Sequence, residues 1–399
     1  MTHYTYLIIG GGMAAAAAVR GIRELDSQGP IGLISADVDL PYKRPPLSKG
    51  LWKEKRLDTI WIDMETQGID LHLGRTAQAI DAEAKRVTDT TGASYTFDKL
   101  LLAMGGRVRR LPFGGDDIIY YRTVADYQRL RGLTEHGQRF VVIGGGFIGW
   151  EVAAALAMNG KDVVMVFPDQ SIGQRIYPPD LAQFLTTFYR SKGIEVLTET
   201  SVVDVARQGT ELAVATRRVG GGDEQRLVAD GVVAGIGIQP NIELAQAAGL
   251  AVADGITVDD YLRTTHQDIY AAGDIASFYS PALGKRRRVE HEDNAVTMGR
   301  HAGRVMAGAV ETYRHLPFFY SDLFELGYEA VGELDSRLET VADWKEPYQE
   351  GVIYYLGAGV VRGVLLWNVW EQVEAARRLI GQEVSTPSQD LINRLPANA

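Results

Sequence analysis

Two short glycine-rich segments of the chain have the spacing needed to bind a dinucleotide. In the first, Gly10 and Gly12 follow the apolar run at 5–9, and Ala15 occupies the position of a third glycine. The first glycine permits a tight turn, and the second lets a pyrophosphate approach the backbone. The third position allows the helix to pack closely on the strand, and Ala is an accepted variant there. A strand–helix turn without a ligand is the alternative for this motif taken alone.

The second segment has glycine at all three positions. Gly144, Gly146 and Gly149 stand in "RFVVIGGGFIGWE", residues 139–151. One such loop serves one nucleotide. Two loops in one chain therefore predict two nucleotides, and they raise the question of what passes between them.

An acidic residue follows the second strand of each predicted unit. Asp37 lies near the end of the strand predicted at 31–35, where it could hold a ribose hydroxyl. Asp169 ends "DVVMVFPD", at the place where a carboxylate binds the ribose 2′-hydroxyl of NAD. Asp169 would repel a 2′-phosphate, which favours NADH over NADPH. Arg175, six residues further on, could still reach such a phosphate.

The elements that must position these residues have recognisable patterns. An alanine-rich helix is predicted from Met13 onward, with its N-terminal N–H groups directed at the phosphates. The segment 268–276 predicts a short apolar strand that ends in Gly-Asp. Further along, 351–368 predicts two strands around a Gly-Ala-Gly turn, and 371–382 predicts a closing amphipathic helix.

Composition excludes several classes of function. The 399 residues suit two or three domains, and the absence of cysteine excludes disulfides, thiolate metal sites and a redox-active dithiol. The seven histidines are scattered, so we expect no metal site. The net charge of −10 argues against nucleic acid as a partner. With no long apolar run and no targeting peptide expected, we expect no membrane span and a cytoplasmic protein.

Several motifs resemble those of known flavoprotein reductases. The segments "AAGD" (271–274) and "LLAMGG" (101–106) resemble elements of the FAD- and NAD-dependent reductases built on the glutathione-reductase plan. The segments "LPYKRPPLSKGLW" (40–52), "ALGKRRRVEHEDNA" (282–295), "SDLFELGYEAVG" (321–332) and "GVLLWN" (363–368) narrow the resemblance to the ferredoxin-reductase branch and, most closely, to the apoptosis-inducing-factor proteins.

The resemblance implies a fold and a division into domains. The fold is α/β, with two Rossmann-like dinucleotide-binding domains and a small α+β C-terminal domain. The FAD-binding domain is discontinuous, comprising 1–112 and 235–312. An NAD-binding domain at 113–234 is inserted into it, and the C-terminal domain follows at 313–399.

The resemblance also implies which residues contact each cofactor. The expected FAD contacts are Gly10, Gly12, Met13, Ala14, Ala15, Asp37, Arg44, Lys49, Gln78, Arg122, Gly273, Asp274, His291 and Glu292. The expected NADH contacts are Gly144, Gly146, Phe147, Ile148, Gly149, Asp169, Arg175, Gly237, Tyr320, Glu329 and Asn368. Met104 and Tyr320 depart from the family, which usually has Thr and Trp at these positions.

Four residues are expected to act in hydride transfer. The family places Lys49 beside flavin N5 and pairs it with Glu151; without the resemblance, a solvated lysine and an acid at a helix N-terminus would explain both. Phe147 corresponds to an aromatic that gates the flavin, or it simply packs in the first helical turn. His291 begins a helix whose N-terminus stabilises reduced flavin, or it is a helix-start histidine with no further task.

Two classes of function follow from the resemblance. In the first, NADH reduces FAD, and electrons pass to a ferredoxin- or rubredoxin-type iron–sulfur protein, a quinone or an artificial acceptor. The basic run "KRRR" (285–288) would suit an acidic ferredoxin, or it is a solvated edge. In the second, the protein is a redox sensor whose long-lived charge-transfer complex with NADH controls oligomerisation or partner binding. The expected oligomeric state is a monomer or a homodimer.

Overall fold

A computed structural model describes residues 1–382 and 387–396 of the chain. Over these residues the chain forms seven α-helices: α1 (Met13–Arg23), α2 (Val124–Thr134), α3 (Phe147–Met158), α4 (Pro179–Ser191), α5 (Glu243–Ala247), α6 (Glu292–Met306) and α7 (Val373–Ile380).

The strands of the described residues fall into parallel sheets and antiparallel sheets. They are β1 (Thr2–Ile9), β2 (Ile31–Ile34), β3 (Asp70–His72), β4 (Ala77–Asp81), β5 (Arg86–Asp89), β6 (Ser94–Leu102), β7 (Gly106–Val108), β8 (Ile118–Tyr120), β9 (Arg139–Ile143), β10 (Asp162–Val166), β11 (Glu195–Leu197), β12 (Thr200–Gln208), β13 (Glu211–Arg218), β14 (Gln225–Ala229), β15 (Gly231–Ala234), β16 (Ile238–Pro240), β17 (Val252–Ala253), β18 (Gly255–Thr257), β19 (Ile269–Ala271), β20 (Ala276–Ser280), β21 (Lys285–Arg287), β22 (Phe318–Leu323), β23 (Leu326–Gly332), β24 (Glu339–Glu346), β25 (Glu350–Gly357) and β26 (Val360–Trp367).

The chain divides into two units, each formed by separate segments. Unit 1 comprises Met1–Arg44, Asp58–Arg107 and Gln239–Phe319. Unit 2 comprises Pro45–Leu57, Val108–Ile238 and the described residues from Tyr320 onward. The division into three domains expected from the sequence stays a prediction.

Unit 1 is built on a parallel sheet that is buried on both faces. Strands β3, β2, β1 and β6 lie side by side, and β19 pairs with the second half of β6. The apolar residues of β1 from Tyr6 to Ile9 are all buried, as expected for a parallel strand covered on both sides. Strands β4 and β5 extend the sheet from the first half of β6 as an antiparallel meander.

Helix α1 packs on α6 at very short range because the facing residues are small. A Cβ atom added at Gly299 would lie 2.2 Å from the carbonyl oxygen of Ala14, and one added at Gly303 would lie 2.1 Å from that of Ala18. The backbones of the two helices are therefore in contact. This packing fixes the start of α1, which is the end of the helix that faces the first glycine loop.

Unit 2 contains a five-stranded parallel sheet and two antiparallel sheets. The parallel sheet has the order β11-β10-β9-β15-β8, and α3 connects β9 to β10. Strands β12, β13 and β14 form an antiparallel meander. The third sheet has the order β22-β23-β26-β25-β24, and α7 packs on β23 and β26. The strands expected around the Gly-Ala-Gly turn are β25 and β26.

Candidate functional site

The first glycine loop of unit 1 connects β1 to α1 and needs glycine for two different reasons. Gly10 has φ +126°, and an added Cβ would lie 2.2 Å from the carbonyl oxygen of Ala103. At Gly12 an added Cβ would meet no atom within 4 Å. Gly12 is the N-cap of α1, whose first turn has neither a side-chain cap nor an acidic residue. The open approach and the uncapped N–H groups fit a pyrophosphate.

The second glycine loop, in unit 2, repeats this geometry between β9 and α3. Gly144 has φ +118°, and an added Cβ would lie 2.4 Å from the carbonyl oxygen of Gly235. Gly146 caps α3 without a side-chain hydrogen bond, and the space around an added Cβ is open. A Cβ on Gly149 would lie 2.0 Å from the carbonyl oxygen of Gly144, so α3 packs directly on its own turn.

The two candidate ribose acids lie where the sequence predicts, just beyond the second strand of each unit. Asp37 follows β2 and is half-buried, and its Oδ1 accepts a hydrogen bond from the N–H of Asp39. Asp169 follows β10, and its Oδ1 lies 3.5 Å from Nη2 of Arg175 and 3.4 Å from Nε2 of Gln174. The Arg175 side chain is 80% exposed, so this ion pair is weak and easily exchanged for a ligand.

Lys49 and Glu151 form a buried ion pair within unit 2. Nζ of Lys49 lies 2.7 Å from Oε1 of Glu151, and the two side chains are 12% and 3% exposed. The ring centroid of Tyr320 lies 5.2 Å from the same ammonium, within reach of a cation–π contact. Glu151 is in the second turn of α3, so the ammonium is held close to the helix start that follows the second glycine loop.

The turn that carries Lys49 is held by buried packing. Pro45 and Pro46 begin a short 3₁₀ segment at Pro45–Ser48, and a second one follows at Gly50–Trp52. The indole Nε1 of Trp52 donates to the carbonyl oxygen of Leu47 over 2.8 Å, which closes the turn around Lys49. Proline fixes φ in advance, so the turn loses little conformational entropy on folding.

Two serines at this ion pair were missed by reasoning from the sequence. Oγ of Ser48 donates to Oε2 of Glu151 over 2.5 Å, and Oγ of Ser321 donates to Oε1 over 2.6 Å. The indole N–H of Trp150 donates to Ser321 over 3.2 Å. The position of Ser48 directly before Lys49 was a usable signal. Nothing in the sequence links Ser321 to a residue 170 positions away.

Phe147 and Ile148 occupy the first turn of α3. The Phe147 ring contacts the Trp150 ring edge-on, with centroids 4.9 Å apart. Ile148 packs toward the end of β15, because a Cβ on Gly235 would lie 3.1 Å from that of Ile148. Phe147 is half-buried, so the observed packing with Trp150 leaves part of the ring accessible.

Unit 1 brings several of the expected FAD contacts together around α1. Gly273, two residues after β19, has φ +78°, and an added Cβ would lie 2.9 Å from that of Ala14. The "AAGD" turn therefore lies against the first turn of α1, and half-buried Asp274 follows directly. Met13 begins α1, and Ala15 is fully buried.

His291 is the N-cap residue of α6, and Glu292 is the first residue of this helix. The His291 imidazole stacks on the Phe319 ring with a centroid distance of 4.2 Å and an interplanar angle of 10°. In the same helical turn, Asp293 accepts hydrogen bonds from the His315 imidazole over 2.6 Å and from the Phe318 N–H over 3.1 Å. The helix start is thus held in place by residues of unit 1.

Three other expected FAD contacts lie apart from this group in the chain. The Arg44 guanidinium lies 5.5 Å from the ring centroid of Tyr42 in unit 1. Gln78 is exposed on β4. Arg122 precedes α2 in unit 2, and its main-chain N–H donates to Asp126. Their contact with FAD stays a prediction.

The antiparallel sheet of β22 to β26 in unit 2 carries one expected NADH contact on a strand and another directly after the neighbouring strand. Glu329 is on β23 opposite Leu366, and Asn368 follows β26. Within the described residues, Oε2 of Glu329 is buried without a hydrogen-bond partner, and burial raises the pKa of this carboxyl. The Asn368 amide accepts from the N–H of Gly327 and donates to the carbonyl oxygen of Gln349, both over 2.7 Å.

Gly237, another expected NADH contact, follows β15 in unit 2 and has φ +89°. Its carbonyl oxygen accepts a hydrogen bond from the N–H of Arg109 over 3.0 Å. A Cβ on Gly237 would lie 3.7 Å from the Arg109 side chain, which is ordinary contact. The positive φ is therefore the reason for glycine here.

The basic run at 285–288 is partly used by the fold of unit 1. Arg286 donates to the carbonyl oxygens of Val258 and Ser277. Arg288 pairs with Asp254 and Glu290, and its side chain is 12% exposed. Arg286 and Arg288 are therefore engaged by the fold, which reduces the charge offered to an acidic partner.

No group of three or more His, Asp or Glu side chains in the described part of the chain could hold a metal ion. Among residues 1–382 and 387–396, no helix combines the length and apolar character required to cross a bilayer. The fold and the two loops define a class, namely proteins that bind two dinucleotides in one chain. The chain contains no cysteine that could form a redox-active dithiol.

Comparisons with known proteins agree with this class. The sequence pattern of the family described as pyridine nucleotide-disulphide oxidoreductase matches residues 4–299. That of the C-terminal, mitochondrion-associated domain of apoptosis-inducing factor matches 302–347 and 342–382.

Relatives match along nearly the whole chain. The anthranilate 1,2-dioxygenase system ferredoxin–NAD(+) reductase component of Burkholderia cepacia is 34% identical, over 97% of this chain and 96% of its own. The putative apoptosis-inducing factor 1 of Drosophila melanogaster is 31% identical over 95% of this chain, which spans 63% of that relative's length.

Solved structures also match. A chain in the covalent putidaredoxin reductase–putidaredoxin complex has a TM-score of 0.89 at 28% identity, with all of both chains covered. The ferredoxin reductase for the CYP199A2 system of Rhodopseudomonas palustris has a TM-score of 0.88 at 28% identity, with 96% of each chain covered.

The chain belongs to the pyridine nucleotide-disulphide oxidoreductase family. It is an oxidoreductase that uses FAD and NAD(H). The family resemblance, the α/β fold and the two cofactors predicted from the sequence are thereby confirmed.

Proposed function

We infer that the chain is an NADH-dependent reductase that delivers electrons to a ferredoxin-type iron–sulfur protein. Relatives named as ferredoxin–NAD(+) reductase components, and the reductase–putidaredoxin complex, support this acceptor. When bound, FAD accepts a hydride from NADH and releases electrons singly, which matches a two-electron donor to a one-electron acceptor.

The buried Lys49–Glu151 pair is the observation that carries the proposal. Lys49 holds a positive charge in a site from which water is largely excluded, where a charge acts more strongly than in bulk water. Glu151 fixes the position of that ammonium through a contact of 2.7 Å. We assign Lys49 to the flavin N5 and Glu151 to the support of Lys49, with Phe147 and His291 against the reacting rings.

Anaerobic titration tests the proposed chemistry. Purified protein with bound FAD should lose its flavin absorbance on addition of NADH. Lys49→Ala should slow this bleaching about a hundredfold, the scale for removing one preorganised electrostatic group, while FAD stays bound. Unchanged bleaching in Lys49→Ala, or a protein that binds no flavin, would reject the proposal.

We propose that Asp169 makes NADH the preferred coenzyme. Its carboxylate follows β10, where it can accept hydrogen bonds from a ribose 2′-hydroxyl and repel a 2′-phosphate. Arg175 opposes this selection, because its exposed guanidinium lies 3.5 Å from Oδ1 of Asp169. Titration with NADPH should need a higher concentration than titration with NADH; equal concentrations would contradict the assignment.

The proposed electron acceptor is tested by adding a ferredoxin to the protein and NADH. An acidic ferredoxin should be reduced with NADH at a rate that falls as salt is added, because charge pairing steers the encounter. Failure of several ferredoxins at low salt, alongside rapid reduction of a quinone, would replace the iron–sulfur acceptor by the quinone. We place the activity in the cytoplasm, which cell fractionation can check.

A redox sensor is the second candidate. The match of residues 302–347 and 342–382 to the C-terminal domain of apoptosis-inducing factor favours it. A sensor should keep its flavin reduced for minutes in air after NADH is added, and its mass in solution should change. Reoxidation within seconds and an unchanged monomer or homodimer would reject the sensor.

We propose that the chain has three domains. The FAD-binding domain comprises 1–112 and 235–312, the NAD-binding domain comprises 113–234, and the C-terminal domain comprises 313–399. Helix α6 ends at Met306, and the chain passes from unit 1 to unit 2 at Phe319–Tyr320, which supports a boundary near 312. Limited proteolysis should cut near that position before it cuts within 113–234.

A further inference from the structure

The Glu151 carboxylate receives three hydrogen-bond donors inside unit 2. Lys49 and Ser321 both reach Oε1, over 2.7 Å and 2.6 Å, while Ser48 reaches Oε2 over 2.5 Å. Glu151, Ser48 and Ser321 are 4%, 5% and 0% exposed. A buried carboxylate requires such donors, since it is cut off from water.

The chemistry of the donors determines where the Ser321 proton lies. The indole N–H of Trp150 can only donate, so Ser321 must accept that bond through its oxygen. Its own O–H is then free to donate to Glu151, which as a carboxylate can only accept. The direction of the chain of bonds is therefore Trp150 to Ser321 to Glu151.

We propose that Ser48 and Ser321 are positioning residues for hydride transfer, a role that rests on the proposed function of Lys49. The two hydroxyls hold Glu151 in one rotamer and keep both of its oxygens satisfied. Lys49 then has a single acceptor at a fixed place. The carboxamide of the coenzyme can replace one of the donors to Glu151. The serine hydroxyls then still donate to the carboxylate, so the buried charge is never left without hydrogen bonds during the exchange.

Ser321 is the more informative position because it contacts the same oxygen as Lys49. Ser321→Ala should lower the rate constant of flavin reduction by NADH about tenfold, on the scale of one hydrogen bond to a charged group. The dissociation constant for NADH should stay within about twofold, because the hydroxyl acts on the reacting geometry and not on coenzyme binding. Single-turnover stopped-flow measurements separate the two quantities.

A double-mutant cycle shows whether Ser321 acts through the ion pair. In a Lys49→Ala background, Ser321→Ala should change the rate constant by less than about twofold, because the ammonium it helps to place is gone. A loss of the same size in both backgrounds would overturn the positioning role. An unchanged rate in the Ser321→Ala single variant would overturn it as well.

Two further variants keep the test decisive. Ser48→Ala removes the donor to the other oxygen, and it should show the same dependence on Lys49 even if Ser321→Ala fails to fold. Ser280→Ala, at an equally buried serine in β20 of unit 1, should leave the rate constant unchanged. If Lys49→Ala alone has no effect, the proposed function and the positioning role both fail. If Lys49→Ala is slow but the serine variants are not, only the positioning role fails.

Discussion

The two glycine loops use the same turn but lead into helices of different character. In unit 1 the third position is Ala15, and α1 is lined with small side chains that let its backbone contact α6 at Gly299 and Gly303. In unit 2 the third position is Gly149, and α3 contacts its own turn at Gly144. The first helix thus serves close packing.

The second helix carries polar chemistry in addition to packing. Trp150 and Glu151 come directly after the second loop, and both are linked to Ser321. At the corresponding positions α1 has alanines, which offer no hydrogen-bonding group. The first loop and its helix thus have only the features needed to bind a nucleotide. The second loop also leads into a helix that carries residues assigned to hydride transfer.

Replacing Gly149 should have a larger effect on the free energy of unfolding than replacing Asp89 of unit 1 or Glu329 of unit 2. Gly149→Ala places a Cβ 2.0 Å from a backbone oxygen, so α3 must shift. We expect a loss of about 3 kcal/mol in the free energy of unfolding and weaker NADH binding. Urea denaturation and NADH titration measure the two effects.

Two control variants sharpen this prediction. Gly146→Ala meets open space and should fold normally. Ala15→Gly in the first loop should cost only about 1 kcal/mol, from backbone entropy. The contrast between the loops would be broken if Gly149→Ala were as stable as Ala15→Gly.

Replacing Asp89 in unit 1 should have an intermediate effect on the free energy of unfolding. Burial acts to raise the pKa of Asp89, but hydrogen bonds from Thr91, Tyr95 and Arg75 hold it well below its ordinary value. Because the folded pKa is lowered, this contribution to stability is present above the unfolded pKa of about 3.9 and is lost as pH falls through the folded pKa. Asp89→Asn should cost about 2 kcal/mol at pH 7.

Urea denaturation at pH 7 and at pH 3 checks the Asp89 prediction. The difference between the variant and the unaltered protein should shrink at the lower pH. Arg86→Ala, which removes a cation paired with exposed Asp81 in the same meander, should change stability little. A cost for Asp89→Asn that does not depend on pH would contradict the role of the charge.

Replacing Glu329 in unit 2 should have the smallest effect on the free energy of unfolding, and it should stabilise the protein where the Asp89 variant destabilises it. Burial raises the pKa of Glu329, and one of its oxygens has no hydrogen-bond partner among the described residues. Because the folded pKa is raised, its contribution to stability is present below the unfolded pKa of about 4.3 and is lost as pH rises through the folded pKa. Glu329→Gln should therefore stabilise the protein at pH 7, by less than about 1 kcal/mol.

Thermal unfolding of Glu329→Gln at pH 7 and pH 4 provides the measurement. The gain in melting temperature should decrease at pH 4, where the ionised form is less populated. If the variant were less stable at pH 7, the half-buried Glu329 carboxylate would have a partner that keeps it ionised, and the contrast with Asp89 would disappear.

Local patterns were sufficient for much of the fold. The glycine spacings predicted both strand–turn–helix units, and the structure has β1–α1 and β9–α3 at these positions. The apolar segment before Gly273 and the two strands around the Gly-Ala-Gly turn were also confirmed. Each of these features depends on residues that are close together in the chain, so the local sequence is enough to predict it.

The partners of Glu151 could not be predicted in the same way. Motif resemblance paired it with Lys49, but no local pattern indicates Ser321 or the order of donors that leads from Trp150. The partial use of the "KRRR" run by Val258, Ser277 and Asp254 was equally invisible. The serines at Glu151 lie 103 and 170 positions away from it in the chain, and Asp254 lies 34 positions from Arg288.

By itself the sequence determined that this protein binds two dinucleotides, that it has no thiol to carry electrons, and that an acid follows each second strand. Turn geometry depends on neighbouring residues, and composition depends only on residue types, so both can be predicted from the sequence. Only the tertiary structure decided that a buried carboxylate would be surrounded by an ammonium and two hydroxyls. That arrangement exists because folding removes Glu151 from water and requires donors from distant segments to replace it.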